Sequence, residues 1–193
     1  MAILSAHLGT PCNDYCIFNL CDKYKKNNTM NLLKILVLLI FISFFKPREK
    51  CSNIYLIRHA EKVRVDKLDR DPDLNNKGLL RAENWKRYFV GKNISRIYST
   101  NYKRTINTVK PLAENYNLEI LIYSSDNITY ETFLKSSIGE NTLVVGHSNT
   151  IPDFVNNLIE EDYYDQIDDL NNSNLYIVSL CDSVITHKLI TID

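Results

Sequence analysis

The 193-residue chain reads as an α/β protein: a three-layer sandwich with a mostly parallel central sheet and helices on both faces. Three observations carry that reading. Short apolar runs of strand length alternate with longer segments of helical period. Three of the runs end abruptly in polar, reactive side chains: Arg58-His59, Ser99-Thr100 and Gly146-His147-Ser148-Asn149. The last run, Leu143-Val144-Val145, has no alternation, which is the form of a strand buried on both faces.

The elements follow in order. Residues 1–29 are polar and irregular, and Cys12, Cys16 and Cys21 fit no standard zinc spacing. Met30 then opens a short basic start, and Ile35–Phe45 is free of charge. That apolar run is shorter than the ~20 residues of a membrane span but has the form of a secretory signal. Residues 1–29 are therefore expected to be an over-extended or disordered N-terminus, and residues 30–50 a signal peptide or N-terminal anchor. A lipid-bearing Cys51 and a buried core helix are the other readings of this stretch. The reading implies an exported protein, periplasmic or extracellular, touching a membrane only through residues 32–45 if these are not cleaved.

From residue 51 to 193 the pattern is that of one domain. Asn53–Ile57 is a strand, and 61–73, charged and carrying Pro72, is a loop. Leu74–Val90 is a helix with an apolar stripe of Leu79, Leu80, Ala82, Trp85 and Phe89, ended by Gly91. Ile94–Tyr98 is a strand, followed by a helix capped by Thr100 or Asn101 and running to about Asn115. Leu118–Tyr123 is a strand, 125–137 a loop and short helix, and Thr142–Val145 a strand. Thr150–Ile159 is a helix with Pro152 in its first turn, where proline is tolerated. Residues 160–173 form an acidic loop, and Leu175–Leu180 and Val184–Ile192 are closing strands.

Charge narrows the function. Lys plus Arg and Asp plus Glu both total 23, but residues 1–50 hold seven basic and three acidic side chains, leaving 16 and 20 for residues 51–193. A domain with net charge −4 argues against nucleic acid as partner, because binding a phosphate backbone needs a basic face.

In a parallel sheet the three polar strand ends share one edge, the edge where open α/β sheets bind ligands. That brings Arg58, His59, Arg104 and His147 together. Two guanidinium forks suit a phosphate's oxygens, and helices starting nearby aim free N–H groups at the same point. The pattern is an anion pocket with an imidazole inside it.

The pieces Arg58-His59-Ala60-Glu61, Leu74-x3-Gly78-x2-Arg81-Ala82, Ser99-x4-Arg104-Thr105-x2-Thr108 and Val144-Val145-Gly146-His147-Ser148-Asn149 resemble, in order and spacing, the histidine phosphatase superfamily (phosphoglycerate mutase-like). The resemblance spans about Asn53 to Leu180. Ala60 departs from the glycine that often follows the histidine in that superfamily. The resemblance implies that residues 51–193 are a histidine phosphatase-like catalytic domain of phosphoglycerate mutase-like fold. It implies a phosphomonoesterase in which His59 becomes a phosphohistidine while Arg58, Arg104 and His147 bind the phosphoryl group. It implies no cofactor and no metal, with a phosphorylated small molecule or phosphoprotein as substrate. Acids near His147 would favour its cation. The proton donor is left open among Glu131, Asp126 and Glu61, with Glu131 preferred.

Two other functions fit the same residues: a phosphoglycerate mutase-like phosphotransferase, and a non-catalytic phosphate- or phosphoprotein-binding module. Among the remaining residues, Arg81 reads as a structural ion-pair partner and Lys62 as solvated. Ser148 and Asn149 are split between capping and ligand contact. The six acids from Glu160 to Asp169 read as a solvated loop. Cys51 and Cys181 are a candidate disulfide if the protein is exported.

Overall fold

The computed structural model describes Lys34 and residues 51–66, 68–124, 128–182 and 184–193. The expectations for residues 1–29 and for the signal or anchor at 30–50, Lys34 apart, lie outside the described residues, as does Asp126.

Ten elements follow Cys51. They are β1 (Cys51–Arg58), α1 (Asn76–Phe89), β2 (Ile94–Ser99), α2 (Lys103–Tyr116), β3 (Ile120–Ile122), α3 (Tyr130–Ser137), β4 (Asn141–Gly146), α4 (Thr150–Ile159), β5 (Asn174–Cys181) and β6 (Val184–Thr191). The sheet order is β3-β2-β4-β1-β5-β6. The first four strands are mutually parallel. β5 and β6 return antiparallel, β5 beside β1.

Both faces of the sheet are covered, which is why the central strands read as continuous apolar runs. Tyr55, Ile57, Ile97, Leu143 and Val145 pack with Trp85, Phe89, Val109 and Leu112 of α1 and α2. Ile54, Leu56 and Val144 point the other way, onto Phe133 of α3 and Ile151, Phe154 and Leu158 of α4. Truncating a side chain such as Trp85 or Phe154 to alanine would cost roughly 3–5 kcal/mol.

Helix α1 differs from expectation. It starts after Asn75, whose side chain accepts from the Gly78 N–H at 2.9 Å, while Leu74 pairs with Lys62 in an isolated bridge. Its buried stripe is Gly78, Ala82, Trp85 and Phe89. Leu79 and Leu80, expected in that stripe, are 52% and 69% exposed. They lie one and two positions past Gly78, rotated by roughly 100° and 200° from the buried line. Gly78 is required there because a Cβ would stand 2.1 Å from the Glu61 carbonyl oxygen. The helix thus seats the chain that follows His59.

Helix α2 is capped by neither Thr100 nor Asn101. Its N-cap is Tyr102, with no side-chain capping bond. The Thr100 side chain is turned inward instead, and this bears on the site below. The third strand is shorter than expected, three residues from Ile120.

β1 and β5 are joined at their far end by a Cys51–Cys181 disulfide. The two cysteines are direct partners in the antiparallel register. No helix among the described residues is long and apolar enough to cross a membrane.

Candidate active site

The register explains why the polar strand ends converge. Arg58 is paired with Gly146, and Ser99 with Val145, so β1, β4 and β2 end at nearly one level. The ladder continues one step further through the His59 N–H to the Gly146 carbonyl at 3.0 Å. The His59 and His147 rings consequently stand edge to face with centroids 5.5 Å apart.

His59 is almost fully buried, at 3% exposure. Its Nδ1 lies 2.7 Å from the Ala60 carbonyl oxygen. A carbonyl can only accept, so Nδ1 carries the proton and Nε2 keeps its lone pair. Burial, then the charges of Arg58, His147 and Arg104, lower the imidazole pKa to about 3, against a weaker raising effect of the Ala60 bond. The backbone around it is pinned. The Thr108 hydroxyl accepts from the Ala60 N–H at 2.8 Å, and Asn172 Nδ2 donates to the His59 carbonyl at 2.8 Å.

Both arginines are buried. Arg58 Nη1 donates to the carbonyls of Asp168 and Asn171 at 2.8 and 3.1 Å, and Nη2 to Asp169 Oδ1 at 2.7 Å. Arg104 lies under the Tyr102 ring, 4.3 Å from its centroid, with Asp71 Oδ1 3.5 Å from Nη1. Among the described residues neither Nε–H has a hydrogen-bond partner. Buried donors without acceptors are rare and costly. Two of them, on neighbouring cations, are donors suited to an anion.

His147 differs from expectation. Among the described residues no acid favours its cation; burial and then Arg104, Arg58 and Lys62 lower its pKa to about 4. Its Nε2 is 3.1 Å from Thr100 Oγ1. The Thr105 hydroxyl donates to the Thr100 carbonyl and so accepts from Thr100, leaving Thr100 to accept from His147. His147 is therefore a neutral donor in a cationic surround.

Of the acid candidates, Glu131 and Glu61 do not join this group. Glu131 is on the first turn of α3 with its side chain 76% exposed and paired to Lys135 at 2.6 Å. The Lys135 bond and charge lower its pKa, so it is ionised, the wrong state for a proton donor. This i, i+4 pairing is visible in the sequence and speaks against the preference for Glu131. Glu61 is half-buried and forked by Arg81 Nε at 3.0 and 2.9 Å, with Lys77 at 3.2 Å. Burial pushes its carboxyl up, but the bonds and charges of Arg81 and Lys77 outweigh that and hold it below its ordinary value. Arg81 has the ion-pair role its position suggested.

A cavity of about 480 Å³ opens beside His147, lined among others by Thr100, Asn101, Tyr102, Tyr123 and Asn149, and by no Lys, Arg, Asp or Glu among the described residues. Among the described residues no group of three or more His, Cys, Asp or Glu side chains could hold a metal ion.

Four residues of this neighbourhood have a role here that the sequence reading does not assign them. Asp169 bridges Arg58 to Arg64 Nη1, at 2.6 Å from the latter. Thr100 holds His147, and Tyr102 packs on both His147 and Arg104. Lys62, read as solvated, is partly buried, and burial and then Arg104 and Arg64 lower its pKa. The one available signal was indirect: a buried Arg58 needs a counter-charge, but nothing marks which of six acids supplies it.

The sequence profile described as Histidine phosphatase superfamily (branch 1) matches residues 54–125, which include Arg58, His59 and Arg104. His147 lies beyond the matched segment, directly after β4, the parallel neighbour of β1. Solved structures share the fold. The protein histidine phosphatase SixA complexed with tungstate is 14% identical at a TM-score of 0.57, covering 72% of this chain and 96% of its own. The α-ribazole phosphatase of Shigella flexneri is 14% identical at 0.56, with the same coverage. The mycobacterial glucosyl-3-phosphoglycerate phosphatase with inorganic phosphate is 12% identical at 0.55, again covering 72% and 96%. Comparison with curated proteins gave no match. The histidine phosphatase fold thus accounts for the phosphoglycerate mutase-like, three-layer architecture expected from the sequence.

Proposed function

We propose that the chain is a phosphomonoesterase working through a phosphohistidine on His59. The observation that carries this reading is the Nδ1 contact to the Ala60 carbonyl at 2.7 Å, which leaves Nε2 as a free nucleophile inside a cationic pocket. Nε2 attacks phosphorus, and the P–O bond to the leaving group breaks with its electron pair. Water then attacks the same phosphorus, the P–N bond breaks, and inorganic phosphate leaves with the imidazole restored. Arg58 and Arg104 clamp the phosphoryl oxygens and stabilise the charge that develops on them, and His147 joins them when its Nε2–H turns from Thr100 to the phosphoryl group. The two Nε–H groups without partners support that role. So do the tungstate and inorganic phosphate named with two of the solved structures.

The leaving group lies in the cavity beside His147, whose described lining is neutral and partly aromatic. Of the three acids considered as proton donor, Glu131 and Glu61 are held ionised, which leaves Asp126 as the donor to alkyl leaving groups. The Cys51–Cys181 disulfide supports a setting outside the reducing cytosol, in keeping with export.

The test is phosphate release from an aryl phosphate. His59→Ala should lower kcat on the order of 10⁴-fold or more, and a chelator should leave wild-type activity unchanged. Near wild-type release by His59→Ala defeats the reading. An isomerised phosphate ester without phosphate release would point to the mutase reaction instead.

A further inference from the structure

Arg58 is oriented from outside the sheet by one short segment. Three of the five guanidinium N–H donors are taken by residues 168–171: two by the Asp168 and Asn171 carbonyls and one by the Asp169 carboxylate. The Nε–H and one Nη2–H remain, and Nε has no partner among the described residues. The same segment reaches both histidine-bearing strand ends. Asn172 donates to the His59 carbonyl at 2.8 Å, and the Ile167 N–H to the Ser148 carbonyl at 2.9 Å. Asp169 is braced in turn by Arg64, through Nη1 to Oδ2 at 2.6 Å and Nη2 to the Asp169 carbonyl at 3.0 Å.

We propose that Asp169 is a positioning residue for phosphoryl transfer: its carboxylate, braced by Arg64, fixes the Arg58 guanidinium so that the Nε–H faces the phosphoryl group on His59. The inference rests on the reading of His59 as nucleophile.

Two considerations set this against a merely structural ion pair. Asp169 and Arg64 have side chains 63% and 47% exposed, and pairs that exposed contribute little to stability. A carboxylate on Arg58 also opposes phosphate binding, because it places like charge beside the anion. Asp169 is therefore poorly suited to raising affinity, and of its two ion pairs only the one to the buried Arg58 guanidinium is shielded from solvent. What it does is deny Arg58 rotation about the Nη1 anchor, so that the remaining donors stay aimed where transition-state charge appears. Such preorganisation acts on the chemical step.

The expected result follows from that division. In the full chain, with an aryl phosphate as substrate, Asp169→Ala should lower kcat about tenfold without raising KM. Inorganic phosphate should bind the variant as tightly as wild type, or more tightly. Asp169→Asn keeps an acceptor for Arg58 and should hold kcat within about threefold of wild type. Arg64→Gln removes the brace and should lower kcat about twofold to threefold, with no further loss when combined with Asp169→Ala. A wild-type kcat in Asp169→Ala, a raised KM with kcat intact, or additive losses in the double variant would each overturn the inference. His59→Ala run alongside separates the two ideas. Release that survives without His59 removes the nucleophile reading and this inference together. Release that needs His59 but is indifferent to Asp169 removes only the inference.

Discussion

His59 and His147 face each other edge-on at 5.5 Å, and both are neutral. The pairing follows from the β1–β4 register, which places the two strand ends side by side. Burial and two arginines keep both rings uncharged, so the positive charge of the site rests on the arginines.

That neutrality has a consequence for stability. Free histidine titrates at 6.5, whereas His59 and His147 titrate at about 3 and about 4 in the fold. Between pH 6.5 and about 4 the unfolded chain binds protons that the native state does not, so stability falls as pH falls through that window. Each ring contributes a slope of up to ~1.4 kcal/mol per pH unit. Thermal unfolding from pH 7.5 to 4.5 should show the loss, and His147→Asn should flatten it. Equal slopes in wild type and variant would contradict the neutral His147.

The leaving-group proton gives a second expectation. A phenolate departs without help, while an alkoxide needs a donor. Asp126→Asn should therefore depress turnover of an alkyl phosphate about 10²-fold or more and of an aryl phosphate far less. Glu131→Gln and Glu61→Gln should not change that ratio, Glu131 being exposed and paired to Lys135. A selective loss in Glu131→Gln would reinstate the residue preferred from the sequence.

The disulfide closes a sequence separation of 130 residues. In the chain-entropy account such a bridge contributes about 4–5 kcal/mol. Cys51→Ser combined with Cys181→Ser should lower Tm by on the order of 10 °C or more. Because Cys51 and His59 are at opposite ends of β1, ~25 Å apart, kcat at 25 °C should stay within about twofold. A variant with unchanged Tm, or with kcat lost while still folded, would contradict this.

The site was readable to the extent that local pattern carried it. Arg58-His59 and Gly146-His147 stand out because an apolar strand ends in a cation and an imidazole, and parallel pairing makes such ends neighbours. Leu79 and Leu80 misled because hydrophobicity alone does not distinguish the buried stripe, which includes Gly78, from the adjacent face. Gly78 is buried for a reason of close approach to Glu61, invisible in a hydrophobicity pattern. Asp169 was not readable at all. Its bond to Arg58 spans 111 residues, and it is one of six similar acids in an irregular segment. Cys51 and Cys181 were readable as candidates, but only the antiparallel return of β5 sets them opposite each other.

The central claim is the covalent role of His59. The direct measurement is a brief pulse of the full chain with ³²P-labelled substrate, followed by denaturation at alkaline pH, where phosphohistidine survives, and peptide mapping. The account predicts acid-labile label on the peptide containing His59, absent from His59→Ala. Phosphate release with no labelled intermediate, or label that persists in His59→Ala, would contradict it.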